Sequence, residues 1–252
     1  MNDKLWKGEG IKMKKFIAEP EFWAFFPECE IGVLVMESIH NEIPEDNSSY
    51  AKIKDLLQDA NREAAKFLTD QVLSQNKVVA VWREAFMKFK TKKGARSSIE
   101  ALLRRVDKGN EVGHINPLVD LYNAISLTYG LPCGMEDLDC IQGDLKLKIT
   151  TGGDDFLALG DEAPDPTLPG ELCYLDDLGA VCRCWNWRDG QRTMLTEKTS
   201  RAIAVIESVD PGRHQDLLEA IHELAAWAEE TGVAKVTLKT IVDREHPEVM
   251  LY

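Results

Sequence analysis

The sequence predicts an α+β fold with helices crowded into the first half of the chain and short strands into the second. Three observations predict it. Apolar residues recur at helical spacing over residues 50–75 and again over 214–232. Residues 145–208 break instead into short apolar runs separated by Gly, Asp and Pro. The two patterns do not alternate as a parallel βαβ sheet would require.

Taken in order, residues 16–40 read as a turn or short helix leading into a buried strand, Ile31–Glu37. Phe22, Trp23, Phe25 and Phe26, bracketed by Pro20 and Pro27, could stack on bases. Beside an apolar strand, core packing is the stronger reading. Asp46 to Ser49 offer caps for a long amphipathic helix over residues 50–75, whose Ile53, Leu56, Leu57, Ala60, Ala64 and Phe67 share a face. A second apolar stretch, 76–89, ends in a basic loop. Ser97 or Ser98 caps the next helix and Gly109 ends it. A further helix opens near Asn116 and Pro117 and closes at Gly130 and Pro132. Strands are then expected at LKLKIT, FLALG, ELCYLDD, AVCRCWNW and SRAIAVIESVD. A helix, HQDLLEAIHELAAWAEETG, and a last strand, VAKVTLKTIVD, follow.

A chain of 252 residues can bury a sizeable core, and with no repeat or linker it reads as one domain over 16–232. Residues 1–15 are expected as an N-terminal extension and 233–252 as a C-terminal strand or tail. No run of 18 apolar residues is present, so no membrane partner is expected. No leader pattern follows the basic start, so the six cysteines read as reduced thiols of a cytoplasmic protein.

The net charge of −13 opposes a nucleic-acid partner, but the charge is uneven. Lys88, Lys90, Lys92, Lys93, Arg96, Arg104, Arg105 and Lys108 meet only Glu100 and Asp107 in the same stretch. From Asp154 to Asp177 the charged residues are all acidic. Such a chain can turn one basic face to a polyanion. The basic run serves equally well as a solvated loop.

Cofactor chemistry finds no support. Gly-x-Gly-x-x-Gly, P-loop, Gly-x-Ser-x-Gly and His-Glu-x-x-His patterns are all missing from the sequence. Cys182 and Cys184 share a strand face but have no second pair at ligand spacing, so no metal is expected.

Two blocks carry a family resemblance. Val112 to Asp144 resembles a stretch of the phenylalanyl-tRNA synthetase β subunit through Ile115, Asn116, Val119, Asp120, Asn123, Gly130, Pro132 and Asp137. Glu171 to Glu207 resembles a later stretch of the same subunit, with a Thr-Glu-x-Thr pattern kept at Thr196, Glu197 and Thr199. In order and spacing the two resemble the B3/B4 editing module, and most closely its free-standing members, from about Phe16 to Glu230. The Trp-Asn-Trp-Arg segment at 185–188 is typical of those members.

The resemblance implies a B3/B4-like fold with helices flanking mixed or antiparallel sheets. It implies an aminoacyl-tRNA editing hydrolase that acts in trans, positioning water without a protein nucleophile. The partner implied is the aminoacylated 3′ end of tRNA, with an aminoacyl-tRNA synthetase as a further candidate. Asn123 and Pro132 fall on pocket positions, while Gly134 replaces the family's pocket His. The Gly-rich turn falls on Asn186, Trp187, Arg188, Asp189 and Gly190. Val205 takes the place of the pocket Glu, and Glu207, two residues on, is expected to compensate only if the strand shifts by two, which preserves the face.

Asn123 and Arg188 are therefore expected as catalytic donors. Pro132, Gly134, Asp176, Trp185, Asn186, Trp187, Asp189 and Glu207 are expected around the substrate. Some free-standing members have been associated with clearing tRNA-Arg that carries an arginine analogue, which an acidic pocket with Asp176 and Asp177 would suit. The alternative is an ordinary hairpin turn at Asp177, Leu178 and Gly179 with Arg188 paired internally. Lys88, Lys90, Lys92, Lys93, Arg96, Arg104 and Arg105 are expected on the nucleic acid. Two other readings stay open: a module that binds tRNA or a synthetase without chemistry, and a small-molecule pocket protein that has lost tRNA.

Overall fold

Ten strands and six α-helices are arranged around two sheets in a computed structural model that describes residues 13–43 and 48–252. In chain order they are β1 (Lys15–Ala18), α1 (Pro20–Phe25), β2 (Glu30–Glu37), α2 (Ser48–Glu63), α3 (Lys77–Phe86) and α4 (Ser98–Asp107). Next come α5 (Pro117–Tyr129), β3 (Cys133–Asp137), β4 (Leu145–Ile149), β5 (Leu172–Asp176), β6 (Gly179–Arg183) and β7 (Arg188–Asp189). The chain closes with β8 (Arg201–Ser208), α6 (His214–Glu230), β9 (Lys235–Val242) and β10 (Glu248–Met250).

One sheet has the order β10-β1-β4-β5-β6-β7 and the other β3-β8-β2-β9. Every pairing is antiparallel except β1 with β4. The expected α+β class is what the chain adopts. The segment after 232 supplies β9 and β10, one to each sheet.

β2 shows why its sequence lacks polar alternation. It is a central strand with apolar material on both faces, so EIGVLVME is buried almost throughout. Ile31, Val33 and Val35 face a core shared with the other sheet, α1, α3 and α4, whereas Leu34 and Met36 face α2, α5 and α6. Gly32 lets α6 approach: a Cβ there would lie 2.6 Å from Ile221 Cγ1.

Phe22, Trp23 and Phe26 pack into the core as expected, whereas Phe25, expected with them, is 40% exposed. Trp185 sits edge-on to Phe22 at 5.4 Å and to Trp82 at 4.9 Å between ring centroids. A fully buried aromatic of this kind contributes about 1.5–3 kcal/mol by removal from water.

The elements depart from expectation in three places. The helix expected over 50–75 stops at Glu63 and tightens into a 3₁₀ turn over Ala64–Phe67. Further on, buried Asn76 accepts from Asp70 N at 2.8 Å and donates to Leu73 O at 3.1 Å, replacing helical hydrogen bonds with a side-chain-held loop. FLALG is not a strand. It lies in a loop braced by Asp154, which accepts from Thr167 Oγ1 at 2.5 Å, and it pairs only through an Ala158–Gly190 bridge. AVCRCWNW ends as a strand at Arg183, because Cys184 and Trp185 turn left-handed at φ 49° and 62°. The side chains of 46–49, expected to cap α2, and most of the expected extension over 1–15 lie outside the described residues.

Candidate functional site

A cavity of about 190 Å³ lies between the two sheets, walled by α4 and α5. Antiparallel register decides which side chains meet there. On one sheet Gly134 pairs with Val205 and Glu136 with Ile203, so these four share a face with Glu207 two residues along β8. On the other, Tyr174 pairs with Cys182 and Cys182 with Asp189, giving a second facing row.

α5 supplies Tyr122 and Asn123. Its start is fixed by the Asn116 cap, which accepts from Val119 N at 3.0 Å, and by buried Asp120, which accepts from Tyr50 Oη at 2.6 Å and Ile115 N at 2.8 Å. Asn123 follows Asp120 by three residues, nearly one turn.

The turn after β6 brings in Asn186 and Trp187. Two successive left-handed residues without glycine are strained, and the burial of Trp185 in the aromatic cluster holds them. Asn186 then bridges: its Nδ2 donates to Glu207 Oε2 at 2.5 Å and its Oδ1 accepts from Ser98 N at 3.3 Å. Tyr174 Oη donates to Glu207 Oε1 at 2.5 Å. Glu207 thus ties β8 to the opposite sheet and, through Asn186, to α4.

The cavity is acidic, with Glu136, Asp189 and Glu207 among its lining residues and neither Lys nor Arg. Burial raises the Glu207 carboxyl to about 7 even though Tyr174 and Asn186 hydrogen-bond its charged form. Burial, together with the nearby Asp189 charge, pushes Glu136 well above the carboxylate range, and its Oε2 is buried without a partner. Burial also raises Asp189. Burial pushes the Cys133 and Cys182 thiols up, so neither is an activated thiolate.

Of the expected site residues, Asn123, Gly134, Asn186, Trp187, Asp189 and Glu207 come together here. The other four are placed elsewhere, each for a local reason. Trp185 is fully buried in the aromatic core. Arg188 points its guanidinium to Asp161 at 2.9 Å. Asp176 is saturated by Arg192, at 2.7 Å through both terminal nitrogens, and by Gln142 N. Pro132 acts through its carbonyl, which accepts from Glu207 N at 3.1 Å. Val205 and Glu207 both face the cavity, so Glu207 enters with no shift of the strand. Gly134 faces open space, where a Cβ would meet nothing within 4 Å.

Sequence reasoning missed Glu136, Tyr122 and Tyr174. Glu136 was within reach, since two residues along a strand from Gly134 returns to the same face.

The basic run is less free than its composition implies. Lys92 pairs with Asp165 of the acidic stretch, and Arg183 joins that carboxylate at 2.8 Å. Lys90 N donates to Gly170 O at 3.0 Å. Lys88 lies 5.1 Å over the Phe26 ring, and Arg105 donates to Glu111 O. Lys93 is exposed. Arg96 and Arg104 line a separate cleft with Arg83.

Among the described residues, no cluster of His, Cys, Asp and Glu could hold a metal ion, and no helix is long and apolar enough to cross a membrane. No curated protein matches the chain. Among solved structures, it is similar to an N-terminal fragment of the phenylalanyl-tRNA synthetase β subunit from Pyrococcus horikoshii, with 12% identity and a TM-score of 0.48. That match covers 96% of this chain and 58% of the fragment. A family model described as the B3/4 domain matches residues 81–244, which hold α4, α5, seven of the ten strands and every residue lining the cavity. The chain belongs to the B3/4 domain family.

Proposed function

We propose that this chain is a trans-acting aminoacyl-tRNA deacylase that takes the aminoacyl group into the acidic cavity. Two buried carboxyls, Glu136 and Glu207, and the half-buried Asp189, without a basic neighbour among the lining residues, are the observation that carries the reading. An aminoacyl ester brings an ammonium group, whose charge draws the raised carboxyls down and pairs with the carboxylate that forms, a gain a neutral acyl group lacks. Where the amino acid also has a basic side chain, Glu136 and Asp189 offer a second carboxyl to it.

Glu207 supplies the chemistry in this reading. A carboxyl titrating near 7 is matched to accepting a proton at neutral pH. It takes a proton from water as the water oxygen bonds to the ester carbonyl carbon. The same proton passes to the ribose oxygen when the ester C–O bond breaks, leaving free amino acid and free tRNA. The Asn123 amide, at the cavity wall and more than nine-tenths buried, orients the water or the carbonyl oxygen. Arg188, committed to Asp161, has no part in it.

Gly134 and Val205, in place of the family's His and Glu, favour a second reading, in which the cavity binds the charged end without hydrolysing it. Incubation with a panel of correctly and wrongly charged tRNAs separates the two. The deacylase reading requires loss of the aminoacyl group from at least one of them, slowed about 10²–10⁴-fold by Glu207→Gln. Tight binding with every ester intact would establish the second reading.

A further inference from the structure

We propose that the cleft on the other side of α4 binds the phosphodiester backbone of the single-stranded RNA end whose ester enters the cavity. This rests on the reading above for what the RNA carries, though not for whether RNA binds. α4 separates the two sites. Ser98, Ala101 and Leu102 line the cavity, whereas Ser97, Glu100 and Arg104 line a cleft of about 530 Å³ completed by Arg83, Thr91 and Arg96. A helix is about 10 Å across. A strand with its last nucleotide at the cavity therefore passes the amino end of α4 and lays its preceding phosphates in the cleft.

The charge of the cleft is fixed by one buried residue. Glu100 is 2% exposed and is gripped by two arginines. Arg83 donates to it from Nε at 3.0 Å and from its terminal nitrogen at 2.6 Å, and Arg104 at 2.7 Å. Burial alone would raise its carboxyl, but the hydrogen bonds from Arg83 and Arg104 outweigh it and hold Glu100 ionised below its ordinary value. With three arginines and one carboxylate among its lining residues, the cleft carries a net charge of +2.

The pairing with Glu100 orients Arg83 and Arg104 and leaves each with donors to spare. Among the described residues, the side chain of Arg96 is held only by the Gly94 carbonyl at 3.2 Å. Planar donors held by a buried acid, in a cleft with no other acidic lining residue, suit phosphate oxygens. Trp82, Phe86 and Met87 give the same cleft an apolar side. The exposed lysines of the basic run are not required.

The test is fluorescence anisotropy with a labelled tetraribonucleotide ending in CCA, read beside the same sequence with an uncharged methylphosphonate backbone. The wild-type chain is expected to bind the phosphodiester at least about tenfold more tightly. Arg96→Glu is expected to weaken that binding at least about tenfold and Arg96→Gln by a smaller factor. For one lost phosphate contact, the slope of log affinity against log salt falls by about 0.7. Lys235→Glu, on the exposed edge strand β9, is the charge control and leaves affinity unchanged. Equal binding of the two backbones, or Arg96→Glu and Arg96→Gln binding like wild type, overturns the proposal. Hydrolysis of aminoacyl-adenosine, which carries the ester but no phosphate, is scored separately. If no charged tRNA or aminoacyl-adenosine is hydrolysed, the deacylase reading falls while the RNA measurement still decides the cleft.

Discussion

Replacing Glu207 with Gln should change how stability depends on pH more clearly than stability itself. The carboxyl ordinarily titrates at 4.5 and in the folded chain is raised to about 7 by burial. Between those values the folded state holds a proton that the unfolded chain has lost, so stability falls as pH rises through this window. Below about 4.5 both states are protonated and nothing is lost. Above about 7 the whole penalty is present, about 3 kcal/mol at about 1.4 kcal/mol per pKa unit. Glu207→Gln removes that titration. Urea unfolding of both proteins at pH 5, 6, 7 and 8 should show wild type losing about 2.5 kcal/mol more across the range than the variant, since part of the penalty is already present at pH 5. Some downward slope should remain in the variant, because Glu136 and Asp189 are raised in the same direction. The Gln Oε1 can accept from Asn186 Nδ2 while its Nε2 donates to the Tyr174 hydroxyl, which exchanges charge-assisted hydrogen bonds for neutral ones at a pH-independent cost, so the difference in slope is the quantity to read. Parallel profiles would refute the claim that Glu207 is buried and proton-binding near neutrality.

Three further outcomes are expected. Gly32→Ala should cost about 1–3 kcal/mol in urea or thermal unfolding, because the new methyl meets the buried Ile221 side chain with Leu217 behind it. Glu171→Ala should cost about 3–5 kcal/mol by the same assays, since it strips a bidentate partner from Arg183, which is 1% exposed. In single-turnover deacylation, Asn123→Ala should slow the reaction about a hundredfold, whereas Arg188→Ala should stay within about twofold of wild type, because its guanidinium is committed to Asp161 outside the cavity.

Much of the architecture was legible because local chemistry and tertiary packing agree. Asn116, Pro117 and Gly130 mark α5 in the sequence as they do in the fold, and the apolar run of β2 announces a strand buried on both faces. The site was legible in part. Asn123 and Gly134 line the cavity where motif position puts them, and Glu207 joins them without the two-residue strand shift its motif position called for, because Val205 and Glu207 share a strand face. Asp176, Trp185 and Arg188 did not, because their roles depend on partners far along the chain. Arg192 takes Asp176, the cluster with Phe22 and Trp82 takes Trp185, and Asp161 takes Arg188. No spacing rule reveals a pairing of that kind. The loop around FLALG failed as a strand for the same reason, since the Asp154 carboxylate ties the start of the loop to the Thr150 and Thr167 hydroxyls.

The placement of the last two strands bears on how the chain acquires its structure. Lys15 pairs with Met250 and Ile31 with Val242, so each sheet is completed by residues more than 200 positions away in sequence. A nascent chain emerging from the ribosome therefore presents β1 and β2 with a bare hydrogen-bonding edge until synthesis has passed residue 250. Such distant closure is slow to form, and an unpaired apolar strand is a template for association with other chains. Truncation at residue 232 would make that transient hazard permanent along β2, the most apolar strand of the molecule.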